Sequence, residues 1–193
     1  ALLQSGRELN GEEDIDDNAK RAGYDPKDRI ARIFFSDKPE PNPAALKAIK
    51  EADIIVFSSG SLYGSILPHL LIEQVQKTIV SSKAKLVFIL NLMTEDGQTQ
   101  DYRASDHLEA LLYYLGKDRR LDYMIVNKKR LDPKVLKIYK KEKQEPVELD
   151  EERCQKIAHS IKIIQADLAS YLPNEHLLRH DPLSLAKAIL DLK

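Results

Sequence analysis

Three uninterrupted apolar runs mark the middle of the chain: Ile54-Ile55-Val56-Phe57 behind Asp53, Leu86-Val87-Phe88-Ile89-Leu90, and Tyr123-Met124-Ile125-Val126. Runs without polar alternation are what strands buried on both faces require. Between them the apolar spacing changes to that of helices. One helix is predicted within residues 64–81, with Pro68 in its first turns and Leu70, Leu71, Val75 and Ile79 on one face, and a second at 105–115, capped by Ser105 and closed by Gly116. Strand, helix, strand, helix, strand at this spacing predicts an α/β fold with a mainly parallel sheet flanked by helices.

The flanks are less regular. Residues 1–9 read as a short hairpin around Ser5-Gly6, residues 10–28 as an acidic loop, and 29–35 as a strand. Pro43 opens a helix through Ala52. Beyond Asn127 the chain turns basic at Lys128-Lys129-Arg130, then continues as a helix over 134–143, whose charges read as a solvated face. Residues 153–169 fit helix or strand equally, because Ile161, Ile163 and Ile164 leave the period open. A short amphipathic helix capped by Ser184 is predicted to run to Lys193.

At 193 residues the chain suits one domain, 1–193, and 42% hydrophobic content excludes a disordered one. Thirty Lys and Arg against 31 Asp and Glu give a net charge of −1, which offers no electrostatic case for nucleic acid. No apolar run is long enough for membrane insertion, and no leader is recognisable. The single cysteine, Cys154, suits a reducing, cytoplasmic setting. Seven scattered glycines leave neither a Walker A loop nor a GxGxxG turn.

Ligands of parallel sheets bind beyond the carboxyl ends of the strands. Here those ends are small and polar: Ser58-Ser59-Gly60-Ser61, then Asn91 with Thr94, then Asn127. Gly60 permits close backbone approach and the hydroxyls can donate to phosphate. Strand termination explains each end singly, but three aligned ends favour a ligand rim. Tyr63 and Tyr139 lie near such ends and suit either stacking on a base or packing. Tyr113 and Tyr114 read as packing residues. His107 beside Asp106 invites a general-base reading, yet successive helix positions point about 100° apart, so the two do not form a dyad. His176 and His180 share a zinc-ligand spacing without any CxxC beside them, so no metal is assigned.

The segment from Ala52 through Ser59-Gly60-Ser61-Leu62-Tyr63-Gly64-Ser65-Ile66-Leu67-Pro68-His69-Leu70-Leu71 resembles the YvcK-type gluconeogenesis factors. Asn91-Leu92-Met93-Thr94-Glu95-Asp96-Gly97-Gln98-Thr99 and Ala104-Ser105-Asp106-His107-Leu108-Glu109-Ala110 continue the resemblance. So do Leu121-Asp122-Tyr123, Val126-Asn127, Pro146-Val147 and Leu178-Arg179-His180-Asp181. The resemblance implies a Rossmann-like fold related to 2-phospho-L-lactate transferase. It also implies a protein that binds UDP-N-acetylglucosamine and regulates cell-wall synthesis, cell shape and gluconeogenic growth, with no reaction attached. By the same resemblance Tyr139 and Arg179 would contact the nucleotide sugar. Ser59, Gly60 and Ser61 would line its phosphate side, with Thr94 in the second motif, and Asn91 and Asn127 would lie near base or sugar.

The family's glycine-rich opening turn is missing, so the chain corresponds to the C-terminal part of a relative. Association with the missing N-terminal portion, or with a second copy, is expected. Ser58-Ser59 also stands where the family more often has Gly-Pro. The alternative function is a transferase moving a phospho-lactyl group to an alcohol. It would need a divalent metal such as magnesium, with Glu95, Asp96 and Asp101 as its acidic candidates.

Overall fold

In a computed structural model, which describes residues 1–116 and 120–192, the expected strands assemble into one parallel sheet. Strands β3 (Ile54–Phe57), β4 (Lys85–Ile89), β5 (Tyr123–Asn127) and β6 (Lys162–Ala166) lie side by side in that order. All three pairings are parallel, with Phe57 opposite Phe88 and Ile89 opposite Ile125. A two-residue β1 (Leu2–Leu3) pairs antiparallel with β2 (Ile30–Arg32), and the Ser5-Gly6 turn forms as expected. Phe34 and Phe35, predicted to continue β2, lie outside it and are exposed.

Three helices follow from their caps. Helix α2 (Pro43–Glu51) starts where the Asn42 side chain accepts from the Ala44 N–H. Helix α6 (Pro133–Lys141) is capped in the same way by Asp132. Helix α8 (Pro182–Leu190) is capped by Asp181, which accepts from Ser184; Ser184 is therefore inside the helix and not its cap, and Lys193 lies outside the described residues.

Other expectations are corrected. The helix predicted within 64–81 is three pieces: a wide π-type turn (Leu62–Ile66), α3 (Pro68–Leu71) and α4 (Glu73–Ser81), separated where Ile72 is extended. Helix α5 (Ala104–Leu115) begins one residue early, because the Asp106 carboxylate accepts from the Arg103 N–H. Ser105 instead lies within α5 and donates to Asp150. The acidic loop contains α1 (Gly11–Asp16) and a 3-10 turn at Asn18–Lys20. The ambiguous stretch 153–169 resolves into both alternatives, α7 (Glu151–Ile157) and then β6. A hairpin of β7 (Ala169–Leu172) and β8 (Leu177–His180) was not anticipated.

The two faces of the sheet are covered unequally. Leu86, Phe88, Leu90, Met124 and Val126 point into a large core shared with α4, α5 and α7. Val87, Ile89, Tyr123 and Ile125 point the other way, where Leu185, Ala188 and Ile189 of α8 pack. No described helix is long and apolar enough to cross a membrane.

Candidate functional site

The loop after β4 is the centre of the molecule's chemistry, because it separates two concavities at the carboxyl ends of the strands. The first is a cleft of about 600 Å³ beyond β4 and β5. Leu92, Leu131, Leu136, Pro146 and Val147 give it apolar walls, while Asn91, Asn127, Lys128, Lys129 and Arg130 supply polar and positive edges. The basic triplet, read from sequence as part of a solvated face, thus borders the strand-end crevice.

Several rim residues expected to meet a ligand also hold the rim in shape. Asn91 donates through Nδ2 to the Gly60 carbonyl at 2.8 Å, fixing the β3 loop against the β4 loop. The Asn127 Oδ1 accepts from the N–H groups of Leu168, Ala169 and Lys129, and its Nδ2 donates to the Lys129 carbonyl. Lys129 reaches on to the Ala169 carbonyl at 2.8 Å. The start of the β7–β8 hairpin is therefore tied to the end of β5. Thr94 is buried, its hydroxyl accepting from the Glu145 N–H, which seats the loop before α7.

Tyr139 and Arg179 come together through the backbone. The Tyr139 hydroxyl accepts from the Leu178 N–H at 2.7 Å, while its ring packs with Met93, Val135, Ala169 and Leu178. Alternation along β8 sends buried Leu178 toward α6 and exposed Arg179 to the other face of the hairpin. Among the described residues Arg179 has no ion-pair partner. Tyr139 therefore positions the strand that carries a free guanidinium. From sequence His180 belongs to the Leu178-Arg179-His180-Asp181 motif and has a zinc-ligand spacing from His176. Burial pulls its pKa down, opposed by a hydrogen bond to the Leu90 backbone. His176 lies in the hairpin turn at φ +53° and contacts the Tyr171 hydroxyl.

The second concavity, about 720 Å³, lies across the loop and is lined by Asp16, Lys20, Ser61, Glu95, Asp96, Gln98 and Lys143, among others. The Ser61 hydroxyl donates to Gln98 Oε1 at 2.9 Å, and Gln98 Nε2 donates to Asp16 Oδ1 at 2.9 Å. Ser61 also accepts from the Gly64 N–H. A Cβ at Gly64 would sit 2.9 Å from that oxygen, which is why the turn takes glycine there. Ser59 and Gly60 are partly buried beside Ser61. Burial pushes the Glu95 carboxyl above its usual value, and the charge of Asp16 adds to the shift. The Tyr24 hydroxyl donates to Gln100 at 2.8 Å and is pushed up to about 12 by burial and by neighbouring Asp96, so it remains a donor.

Asp16 and Gln98 were missed from sequence. They are 82 positions apart, and a six-residue helix inside an acidic stretch has no periodicity to announce it. The acidic residues assigned to a metal in the transferase alternative do not converge. Asp96 pairs with Lys143 at 3.5 Å, and among the described residues no three His, Cys, Asp or Glu side chains surround one point. Tyr63 is a packing residue, its hydroxyl 2.8 Å from that of Tyr102. His107 is wholly buried on the Tyr102 ring, with Nδ1 at 3.0 Å from the Arg103 carbonyl and burial lowering its pKa. Tyr114 packs and accepts from the Ile33 N–H, but Tyr113, expected to pack, is exposed.

Known proteins resemble this chain in sequence and fold. The chain is 32% identical over 193 residues to the gluconeogenesis factor of Bacillus subtilis, covering all of the chain and 57% of that protein. It is 34% identical over 189 residues to a putative gluconeogenesis factor of Thermotoga maritima, covering 98% of the chain and again 57% of the relative. A crystal structure of a UPF0052 family member from Bacillus halodurans superimposes with a TM-score of 0.87 at 34% identity, covering 98% of the chain and 57% of that structure. The chain thus spans little more than half the length of these relatives. Residues 1–169 match the family described as 2-phospho-L-lactate transferase CofD, and with that match over most of its length the chain belongs to the CofD family.

Proposed function

We propose that the chain is a nucleotide-sugar-binding regulator, taking UDP-N-acetylglucosamine at the cleft beyond β4 and β5, and that through this ligand it acts on cell-wall synthesis, cell shape and growth on gluconeogenic carbon. The observation that carries this reading is the cleft itself, which joins apolar walls to three adjacent cations at the carboxyl ends of two parallel strands. Apolar walls suit a base, and side-chain cations suit a diphosphate. The relatives named gluconeogenesis factor support the link to gluconeogenic carbon.

Asn91 and the exposed Lys128 and Arg130 are the cleft contacts in this reading. Ser59, Gly60 and Ser61 form the neighbouring phosphate-side turn, and Arg179 is a free arm presented by the hairpin. Thr94, Asn127 and Tyr139 position these groups. Calorimetric titration with UDP-N-acetylglucosamine, with UDP, GDP and magnesium as controls, tests the reading. Saturable binding selective for the UDP-sugar is expected. Arg179→Ala is expected to weaken it by about 1.5–3 kcal/mol, the worth of a charge-assisted hydrogen bond. A folded chain that binds nothing, or binds UDP and GDP alike, overturns the proposal.

A further inference from the structure

The amino ends of β4, β5 and β6, at the opposite end of the sheet from the cleft, line a pocket of about 280 Å³. Among the described residues it gathers Lys83, Lys85, Arg120 and Lys162 around one carboxylate, that of Asp122. The whole chain carries a net charge of −1, so this positive excess is local. Its members come from three separate stretches of chain, which is why no basic run in the sequence announces them.

Two of the four cations are held in place by groups that do not neutralise them. Lys85 donates through Nζ to the Leu192 carbonyl at 2.9 Å, and Arg120 donates through Nη2 to the Ala84 carbonyl. A carbonyl orients a cation but leaves its net charge uncompensated. Strand alternation puts Lys162 on the same side of the sheet as Lys85, and the register sets it opposite Tyr123. Its Nζ lies 5.5 Å from the centre of that ring. Neither Lys83 nor Lys162 forms an ion pair among the described residues.

The Asp122 carboxylate is already engaged. Its Oδ2 accepts from the Leu86 N–H at 2.8 Å, and its backbone groups bond to Leu86 and Lys162. The same oxygen lies 3.3 Å from Arg120 Nε, yet that buried N–H has no aligned acceptor. Like charges around one concavity repel, and a buried donor without an acceptor costs free energy. An anion bound among these groups relieves both.

We propose that this pocket binds a phosphate group, free or as the monoester of a small metabolite, as a second anion site separate from the cleft. A guanidinium offers paired N–H donors and the ammonium groups act as point charges, a combination suited to a tetrahedral dianion. Exposed Ser160 adds a hydroxyl donor at the rim. Size narrows the class. Sites for drug-sized ligands span roughly 300–1,000 Å³, so 280 Å³ suits a phosphate bearing a few carbon atoms and not a nucleotide.

The test is titration of the isotope-labelled chain with inorganic phosphate and with glycerol 3-phosphate at constant ionic strength, followed through amide chemical shifts. Saturable shifts are expected at Lys85, Asp122 and Lys162, with none from uncharged glycerol. A chain carrying both Lys83→Gln and Lys162→Gln keeps the Lys85 and Arg120 tethers, and is expected to bind the probes at least about ten-fold more weakly. Tighter binding of glycerol 3-phosphate assigns the monoester as ligand; equal or weaker binding than inorganic phosphate assigns the free ion. Shifts confined to residues 127–131 at the cleft overturn the proposal. So does unchanged affinity in the double variant, or a failure of either probe to saturate.

Discussion

The two concavities flanking the loop after β4 are built on opposite principles. On one side Ser61, Gln98, Asp16 and Gly64 bond to one another, so their polar groups are largely committed to holding α1 and the β3 loop in place. On the other side the framework bonds run beneath the rim, through Asn127, Lys129 and Tyr139, and leave Lys128 and Arg130 exposed at the cleft, while Arg179 is exposed on the hairpin face turned away from α6. A polar cluster that satisfies itself adds rigidity, whereas cations held on a fixed rim remain available to an anion. The difference shows why counting polar residues does not locate a site, and why the direction of their hydrogen bonds does.

The strongest way to break this contrast is at Gly97, which joins the committed side to the loop. Its φ is +81°, its carbonyl accepts from Asn18 at 2.9 Å, and a Cβ there would lie 2.7 Å from the Ala19 backbone nitrogen. Gly97→Ala should destabilise the fold by about 3 kcal/mol, as left-handed strain and a backbone clash combine. Urea unfolding measures this, and a midpoint unchanged from wild type would show that residues 11–20 are not seated on the loop. Next is Asn127→Ala, which strips one acceptor from three N–H groups and should cost about 2 kcal/mol. Amide exchange should then accelerate in β7 and β8; acceleration confined to β5 would count against the clamp.

Smaller effects sharpen the comparison. Tyr139→Phe should cost about 1 kcal/mol, the worth of one hydrogen bond, and loosen the Leu178 amide before any other. If Tyr139 acts by positioning, its loss should weaken ligand binding less than Arg179→Ala does. Glu95 gives a test by pH. Its carboxyl is raised by burial above the ordinary glutamate value of 4.5, so the folded chain holds a proton that the unfolded chain releases. That contribution is complete below about 4.5 and is lost as pH climbs through the raised pKa. Glu95→Gln should therefore gain stability relative to wild type as pH rises from 4 to 7; a constant offset across that range would mean the carboxyl is not perturbed. The least effect belongs to Lys128→Ala, which should change stability by no more than about 0.5 kcal/mol while weakening binding of the nucleotide sugar.

Much of the scaffold was legible because its signals are local. Apolar runs marked β3, β4 and β5, and Pro43 marked the start of α2, whereas α6 starts at Pro133, one residue before the expected 134. Gly116 closes α5 at φ +86°, as its place after Leu115 indicated. The break at Ile72 was hidden because α3 and α4 keep buried Leu70, Val75 and Ile79 in a helix-like series across it. The β7–β8 hairpin was hidden by strands of four residues each, too short for a period to show. Of the candidate site, the three polar strand ends could be found from residue type, and Arg179 was named only through motif order in the family resemblance, without its strand. Which of those side chains are committed to the framework could not, because Leu168 and Ala169, which donate to Asn127, lie more than 40 positions away and the partner of Thr94 lies 51 away.

The sequence by itself determined the α/β class, the parallel strands and the polar character of their carboxyl ends, since hydrophobic period and turn chemistry act over a few residues and need no distant partner. Only the tertiary structure decided that Ser105 serves Asp150 instead of capping a helix, that His107 is sealed against Tyr102, and that Lys128 and Arg130 border a cleft. It also decided that β3, composed as a central strand, pairs among the described residues with β4 alone. Each of these depends on which segments meet in space, and the burial and hydrogen bonding that fix a side chain's role are properties of that meeting.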